Sequence, residues 1–195
     1  EQLTRLDPRK GYPYLLLGDA LSELGDYEAA QSAFRQMERR GSADVAARTR
    51  LARMAALTGD NARADRLYVE ALNLAVEMVP PSRETVAWCR WQLGETAFGA
   101  GDYDRAEKHY RDSLVTFPDY YRALAGLGRA LAAKEDLKGA IELYERSVKI
   151  LPDPASVAAL GDLYQTAGRT KDAEAQYALC EQTARIGAAG GQLYN

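Results

Sequence analysis

The chain has 195 residues, and 25 Lys and Arg against 28 Asp and Glu leave a formal charge of -3. That balance argues against a strongly nucleic-acid-binding protein, whose phosphate contacts need a surplus of cations. One histidine (His109) and two well-separated cysteines are too few for a typical zinc site or a Cys-His nucleophile, and the apolar runs, such as Tyr14 to Leu17, are far too short to span a bilayer.

Taken in order, Glu1 to Arg9 is too short for a helical hairpin. Leu3, Leu6 and the Asp7–Pro8 pair are expected to close an element that begins upstream, or to form an N-terminal extension. Tyr14, Leu17, Gly18 and Leu21 then fall on one stripe at the i, i+3, i+4, i+7 spacing of an amphipathic helix. Leu24–Gly25–Asp26–Tyr27 predicts a turn. Gly25 suits the left-handed position that ends a helix, and Asp26 suits the N-cap of the next one. Ala30, Phe34 and Met37 make the inner stripe of that second helix. Gly18 and Ala30 predict a close crossing of the two helices, where a larger side chain would cost roughly 1–3 kcal/mol by overpacking.

The same unit returns along the chain. Leu17–Gly18, Leu51–Ala52, Leu93–Gly94, Leu127–Gly128 and Leu160–Gly161 are separated by 34, 42, 34 and 33 residues. Ala30, Ala64, Ala106, Ala140 and Ala173 follow in register, and so do Phe34, Tyr68, Tyr110, Tyr144 and Tyr177. Self-similarity at this period marks a helical repeat array. The repeats are expected at about 11–44, 45–78, 87–120, 121–153 and 154–187 of one continuous 1–195 array. One interval exceeds the period by eight residues (42 against 34), and the excess falls in an insertion at 79–86 containing Pro80–Pro81–Ser82. Two prolines stop a helix, and Ser82 predicts the next cap. The insertion is read either as a lengthening of the flanking helices or as a protrusion that contacts a partner. Repeat four has Glu135–Asp136 where Gly-Asp stands elsewhere, so its turn is expected to be strained or its first helix to end differently. The last helix is expected to fade near Ile186, leaving 188–195 as a tail. Cys89 and Cys180 are read as small core residues, and His109 as facing outward.

These offsets resemble the tetratricopeptide repeat (TPR) family, whose unit is a helix-turn-helix with Leu-Gly, a small residue, Ala, an aromatic and a closing Pro at fixed places. Leu93–Gly94–Glu95–Thr96–Ala97, Gly101–Asp102–Tyr103, Ala106, Tyr110 and Pro118 carry the resemblance most fully. It implies an all-α, right-handed superhelical solenoid of antiparallel hairpins. About five repeats are present, read as part of a longer array.

The family presents binding residues from the first helix of each repeat on a concave groove. Carried onto this chain, the resemblance implies Tyr12, Leu15, Leu16, Asp19 and Glu23 from repeat one, and Thr49, Arg50, Arg53 and Leu57 from repeat two. Repeat three gives Trp88, Trp91, Gln92, Glu95 and Phe98; repeat four gives Arg122, Arg129 and Ala133; repeat five gives Ala158, Asp162 and Gln165. Aromatic and arginine side chains are the types enriched at binding hot spots. They imply a protein or peptide partner that is acidic or anchored by an aromatic. The plainer reading makes Trp88 and Trp91 partly core, and leaves the arginines solvated or paired with Glu84 and Glu95. TPR domains that grip a chaperone's C-terminal carboxylate use Lys and Asn on one repeat, Asn on the next, then Lys and Arg on the third. Leu15, Asp19, Arg50, Trp88 and Gln92 stand there instead, so the match to that subtype fails.

Three functions stay open at this point. The first is a non-enzymatic protein-interaction scaffold without cofactor, metal, nucleic acid or membrane insertion. The second is a self-assembling module that forms a homo-oligomer through open repeat ends. The third is a regulatory or targeting domain of a larger protein. The Ala/Arg/Asp-rich composition suggests a bacterial origin, and the expected compartment is the cytoplasm, with the native N-terminus expected upstream of Glu1.

Overall fold

The computed structural model describes residues 11–40 and 44–191. Among them run ten α-helices and no strand: α1 (Tyr12–Glu23), α2 (Tyr27–Arg39), α3 (Val45–Leu57), α4 (Asn61–Glu77), α5 (Arg83–Gly99), α6 (Tyr103–Thr116), α7 (Tyr121–Ala133), α8 (Leu137–Ile150), α9 (Pro154–Thr166) and α10 (Thr170–Gly191). They form two compact units, Glu1–Ala100 and Gly101–Asn195. The expectation about Leu3, Leu6 and Asp7–Pro8 lies outside the described residues.

Four of the five hairpin turns carry an aspartate cap. Gly25 sits at φ +80°, where a side chain would be strained, and its neighbour Asp26 accepts a hydrogen bond from the Ala29 amide to cap α2. Asp60, Asp102 and Asp136 cap α4, α6 and α8 in the same way. Ser82 caps α5 as expected, accepting from the Thr85 amide at 3.2 Å.

Repeat four settles one of its two alternatives. Its first helix, α7, ends as the others do, and the turn is closed by the same pair of backbone bonds, Glu135 N to Ala132 O and Asp136 N to Leu131 O. Glu135 achieves this at φ +66°, a conformation that costs a residue with a Cβ about 1–2 kcal/mol. The turn is strained rather than rebuilt.

Packing within each unit explains the small residues. Ala30, Ala64, Ala106, Ala140 and Ala173 are all fully buried. Phe34 and Tyr110 are buried too, each contributing roughly 1.5–3 kcal/mol. Where one of these rings crosses a facing helix, the facing residue is glycine: a Cβ on Gly18 would run into the Phe34 ring, and one on Gly126 would come within 2.6 Å of the Tyr110 ring.

The eight extra residues lengthen helices: α4 and α5 have 17 residues each, against 13 in α3 and 14 in α6. The link left between them, from Met78 to Ser82, is exposed up to Pro81. At the other end α10 continues to Gly191, past the expected fade at Ile186. No proline interrupts that stretch, so helical hydrogen bonding propagates. Cys89 is buried, and burial pushes its thiol up to about 12. Cys180, expected in the core, is only half-buried because it lies on the outermost helix, where its thiol donates to the Pro154 carbonyl at 3.5 Å. His109 is likewise half-buried rather than turned fully outward. No helix of the described residues is long and apolar enough to cross a membrane.

Candidate interaction surface

The implied groove residues divide between the two units. Tyr12, Asp19, Arg50, Arg53, Trp88, Trp91, Gln92 and Glu95 belong to the first unit, on α1, α3 and α5; Arg122, Arg129 and Asp162 belong to the second, on α7 and α9.

In the first unit the structure brings Asp19 and Arg50 together. Arg50 Nε lies 2.9 Å from Asp19 Oδ1, and its Nη2 lies 3.1 Å from Oδ2, a two-pronged ion pair from α3 to α1. The sequence leaves the arginines either as donors to a partner or, in the plainer reading, solvated or paired with Glu84 and Glu95; Arg50 pairs with Asp19 instead. Helices α1 and α3 present these two positions side by side, and a carboxylate matches the planar guanidinium fork. The pair is neutral as a whole, so Arg50 does not offer the bare cation that an acidic partner requires. Arg53, one turn further along α3, is exposed. Its charge acts on the buried Tyr68 phenol, which burial drives far above its ordinary range while Arg53 pulls the other way.

Trp88 is half-buried and is shared between core and surface. One side of its indole meets Tyr68 edge-on, with centroids 6.1 Å apart at 73°, and packs on the cluster of Ala52, Ala55, Ala64 and Leu93. Another side lines an open cleft of about 650 Å³ together with Thr49, Arg50 and Thr85. The cleft is closed by Asp44 to Ala46 at the start of α3, and by Leu74 and Met78 at the end of α4. Trp91, Gln92 and Glu95 are half-buried, whereas Tyr12 is 63% exposed with Leu16 a turn away at 38%.

The lining residues Leu74, Met78 and Thr85 stand outside the first-helix positions carried over from the repeat pattern. The signal in the sequence for Met78 and Thr85 is the break in period, since they lie beside and within the insertion at 79–86.

In the second unit the groove residues are tied to their neighbours. Arg129 Nη2 donates to the Tyr110 hydroxyl at 3.3 Å, and Asp162 accepts from the Tyr177 hydroxyl at 2.8 Å. That bond raises the Tyr177 phenol above its usual value. Arg122 is exposed and lies over the ring of its neighbour Tyr121, 5.3 Å from the centroid. Among the described residues no cluster of three His, Cys, Asp or Glu side chains could hold a metal.

Comparison with known proteins agrees with this architecture. Family models described as tetratricopeptide repeat match residues 12–37, 44–115 and 92–154. A 70-residue stretch is 39% identical to the probable biofilm formation methyltransferase WspC of Pseudomonas putida (strain KT2440), covering 36% of this chain and 16% of that protein. The chain thus spans a small part of that relative's length. Among solved structures, Pseudomonas aeruginosa pilF is 19% identical with a TM-score of 0.75, over 88% of this chain and 75% of its own. A thermophilic TPR protein of Thermus thermophilus is 23% identical at TM-score 0.69, over 94% and 99%. BtubC (BKLC) from P. vanneervenii is 24% identical at TM-score 0.74, over 97% and 86%. At these identities the likeness is one of fold. With repeat matches running from residue 12 to residue 154 and helical hairpins among the described residues, the chain belongs to the tetratricopeptide repeat family.

Proposed function

We propose that this protein is a scaffold that binds a protein or peptide segment on the face made by α1, α3 and α5. The observation that carries the reading is the Trp88 cleft. It is an apolar recess of about 650 Å³ flanked by an oriented arginine, within the size range of about 300–1,000 Å³ typical of ligand-binding clefts. Tyr12, Leu16 and Arg53 extend exposed contact area along the same set of helices. The role is non-catalytic, since the groups on this face bind and orient rather than react. Site-specific photocrosslinking tests it. A crosslinker at Arg53 or Tyr12 is expected to trap a partner that one at Val69, exposed on α4, does not. Capture through Val69 alone would overturn the reading.

A second reading, stacking of a further hairpin on α10, is favoured by Tyr177. Its counterparts Tyr68, Tyr110 and Tyr144 are at most 7% exposed, whereas Tyr177 is 37% exposed. If a second copy supplies the missing contact, sedimentation velocity will show a concentration-dependent mass that Ala178→Lys on α10 abolishes. Attachment to an enzyme is the reading that the methyltransferase likeness would favour, but a 70-residue match to 16% of that protein carries less than the exposed face does.

A further inference from the structure

We propose that the eight extra residues between the second and third repeats create a docking cleft for one kind of partner. That partner is a protein segment that inserts a bulky uncharged side chain against Trp88 and carries Lys or Arg beside it. The inference rests on the binding reading above and deepens it.

Three observations lead there. The first is where the walls come from. An ordinary repeat supplies Thr49, Arg50, Leu74 and Trp88, but Met78 follows the turn by which α4 overruns the 14 residues of α6 and α8, and Thr85 lies on the added first turn of α5. The insertion therefore adds Met78 and Thr85 to the wall of the cleft.

The second is the lip. Val79 is 97% exposed, Val76 is 53% exposed and Met78 is 45% exposed, followed by exposed Pro80 and Pro81. Contiguous apolar surface of this kind, bordered by polar residues, marks interaction sites. A cleft of about 650 Å³ accommodates a large side chain together with the backbone that presents it.

The third is charge. Arg50 is matched by Asp19, and Arg48 by Glu38 and Glu70, so neither cation is left for a ligand's carboxylate. The charged groups of the lining are Asp44 and the already matched Arg50, and the lining residues Met78 and Thr85 are flanked in sequence by exposed Glu77 and Glu84, against the exposed cation Arg83. Their sum is negative, which favours a cationic segment and disfavours an acidic one.

The test uses the full chain carrying Trp91→Phe, so that indole emission reports Trp88 alone. Twelve-residue peptides with a central Phe are flanked by Lys, Ser or Glu. The Lys-flanked peptide is expected to shift the emission and to bind about tenfold more tightly than the Glu-flanked one. Met78→Ser together with Val79→Ser, both at exposed positions and without a change of charge, should abolish binding. Glu77→Lys with Glu84→Lys should reverse the preference. Equal affinities, a tighter Glu-flanked peptide, or no response from any peptide would overturn the proposal. The two readings fail separately. A partner crosslinked at Arg53 and still captured by the Met78→Ser/Val79→Ser chain leaves the face as the binding surface and eliminates the cleft.

Discussion

The Arg50 guanidinium and the Asp19 carboxylate form a paired set of hydrogen bonds, 2.9 Å and 3.1 Å long, that joins α3 to α1. Both residues occupy positions that the repeat pattern assigns to ligand binding, and each is the other's first partner. Their side chains are 34% and 44% exposed, so water screens the pair. Asp19→Ala should accordingly shift stability by no more than about 1 kcal/mol in urea denaturation. It should also release Arg50 as an uncompensated cation, raising the affinity of the cleft for Glu-flanked peptides relative to Lys-flanked ones. Unchanged selectivity would mean that Asp19 does not set the charge of the cleft.

The turn at Glu135 and the crossing at Gly126 give opposite stability effects in the second unit. Glu135→Gly relieves the left-handed conformation at a smaller entropic cost, for a net gain of roughly 0.5–1 kcal/mol. Gly126→Ala places a Cβ 2.6 Å from the Tyr110 ring and should cost about 1–3 kcal/mol. Chemical denaturation of the two variants checks both signs.

Trp88 and Ala106 separate surface from core. Trp88→Ala removes a half-buried indole and should cost about 1–2 kcal/mol, below the range for a fully buried aromatic. Ala106→Leu forces three carbons into a fully buried site and should cost about 3 kcal/mol or more. Helicity should survive the first change and fall with the second, as read by circular dichroism during a thermal melt. Equal losses would place Trp88 wholly in the core.

Acid stability should depend on Lys134. Hydrogen bonds from Lys134 and then Arg111 hold the Glu107 carboxyl below the usual carboxylate range. A depressed folded-state value means that the stabilisation is present at neutral pH and is lost as the pH falls through that value. Lys134→Met should therefore lower the denaturation midpoint at pH 7, and the gap from wild type should narrow by pH 3. A gap that is constant with pH would assign the effect to packing of the lysine stem.

Much of the fold is legible in the sequence because its determinants are local. Gly25 and Asp26 specify a turn through backbone strain and one capping bond, and the offset from Leu17 to Phe34 repeats in every copy. The face carrying the candidate site is also legible, since helical register fixes which residues of α1, α3 and α5 share a side. The pairing of Asp19 with Arg50 is not, because it joins residues 31 apart and depends on how neighbouring helices align. Glu135 lies between these cases: the sequence announces a missing glycine, while tertiary packing of α7 on α8 makes the residue accept the glycine's conformation.

By itself, then, the sequence determined the repeat, the turns, the buried alanines and the break in period after repeat two, all of them consequences of short-range geometry repeated down the chain. Only the tertiary structure decided what the break builds and what the arginines do. The lengthening of α4 and α5 brings Met78 and Thr85 into one cleft with Trp88, and the approach of α3 to α1 cancels the Arg50 charge. Cavities and ion pairs depend on where separate helices meet, and no spacing along one helix encodes that distance.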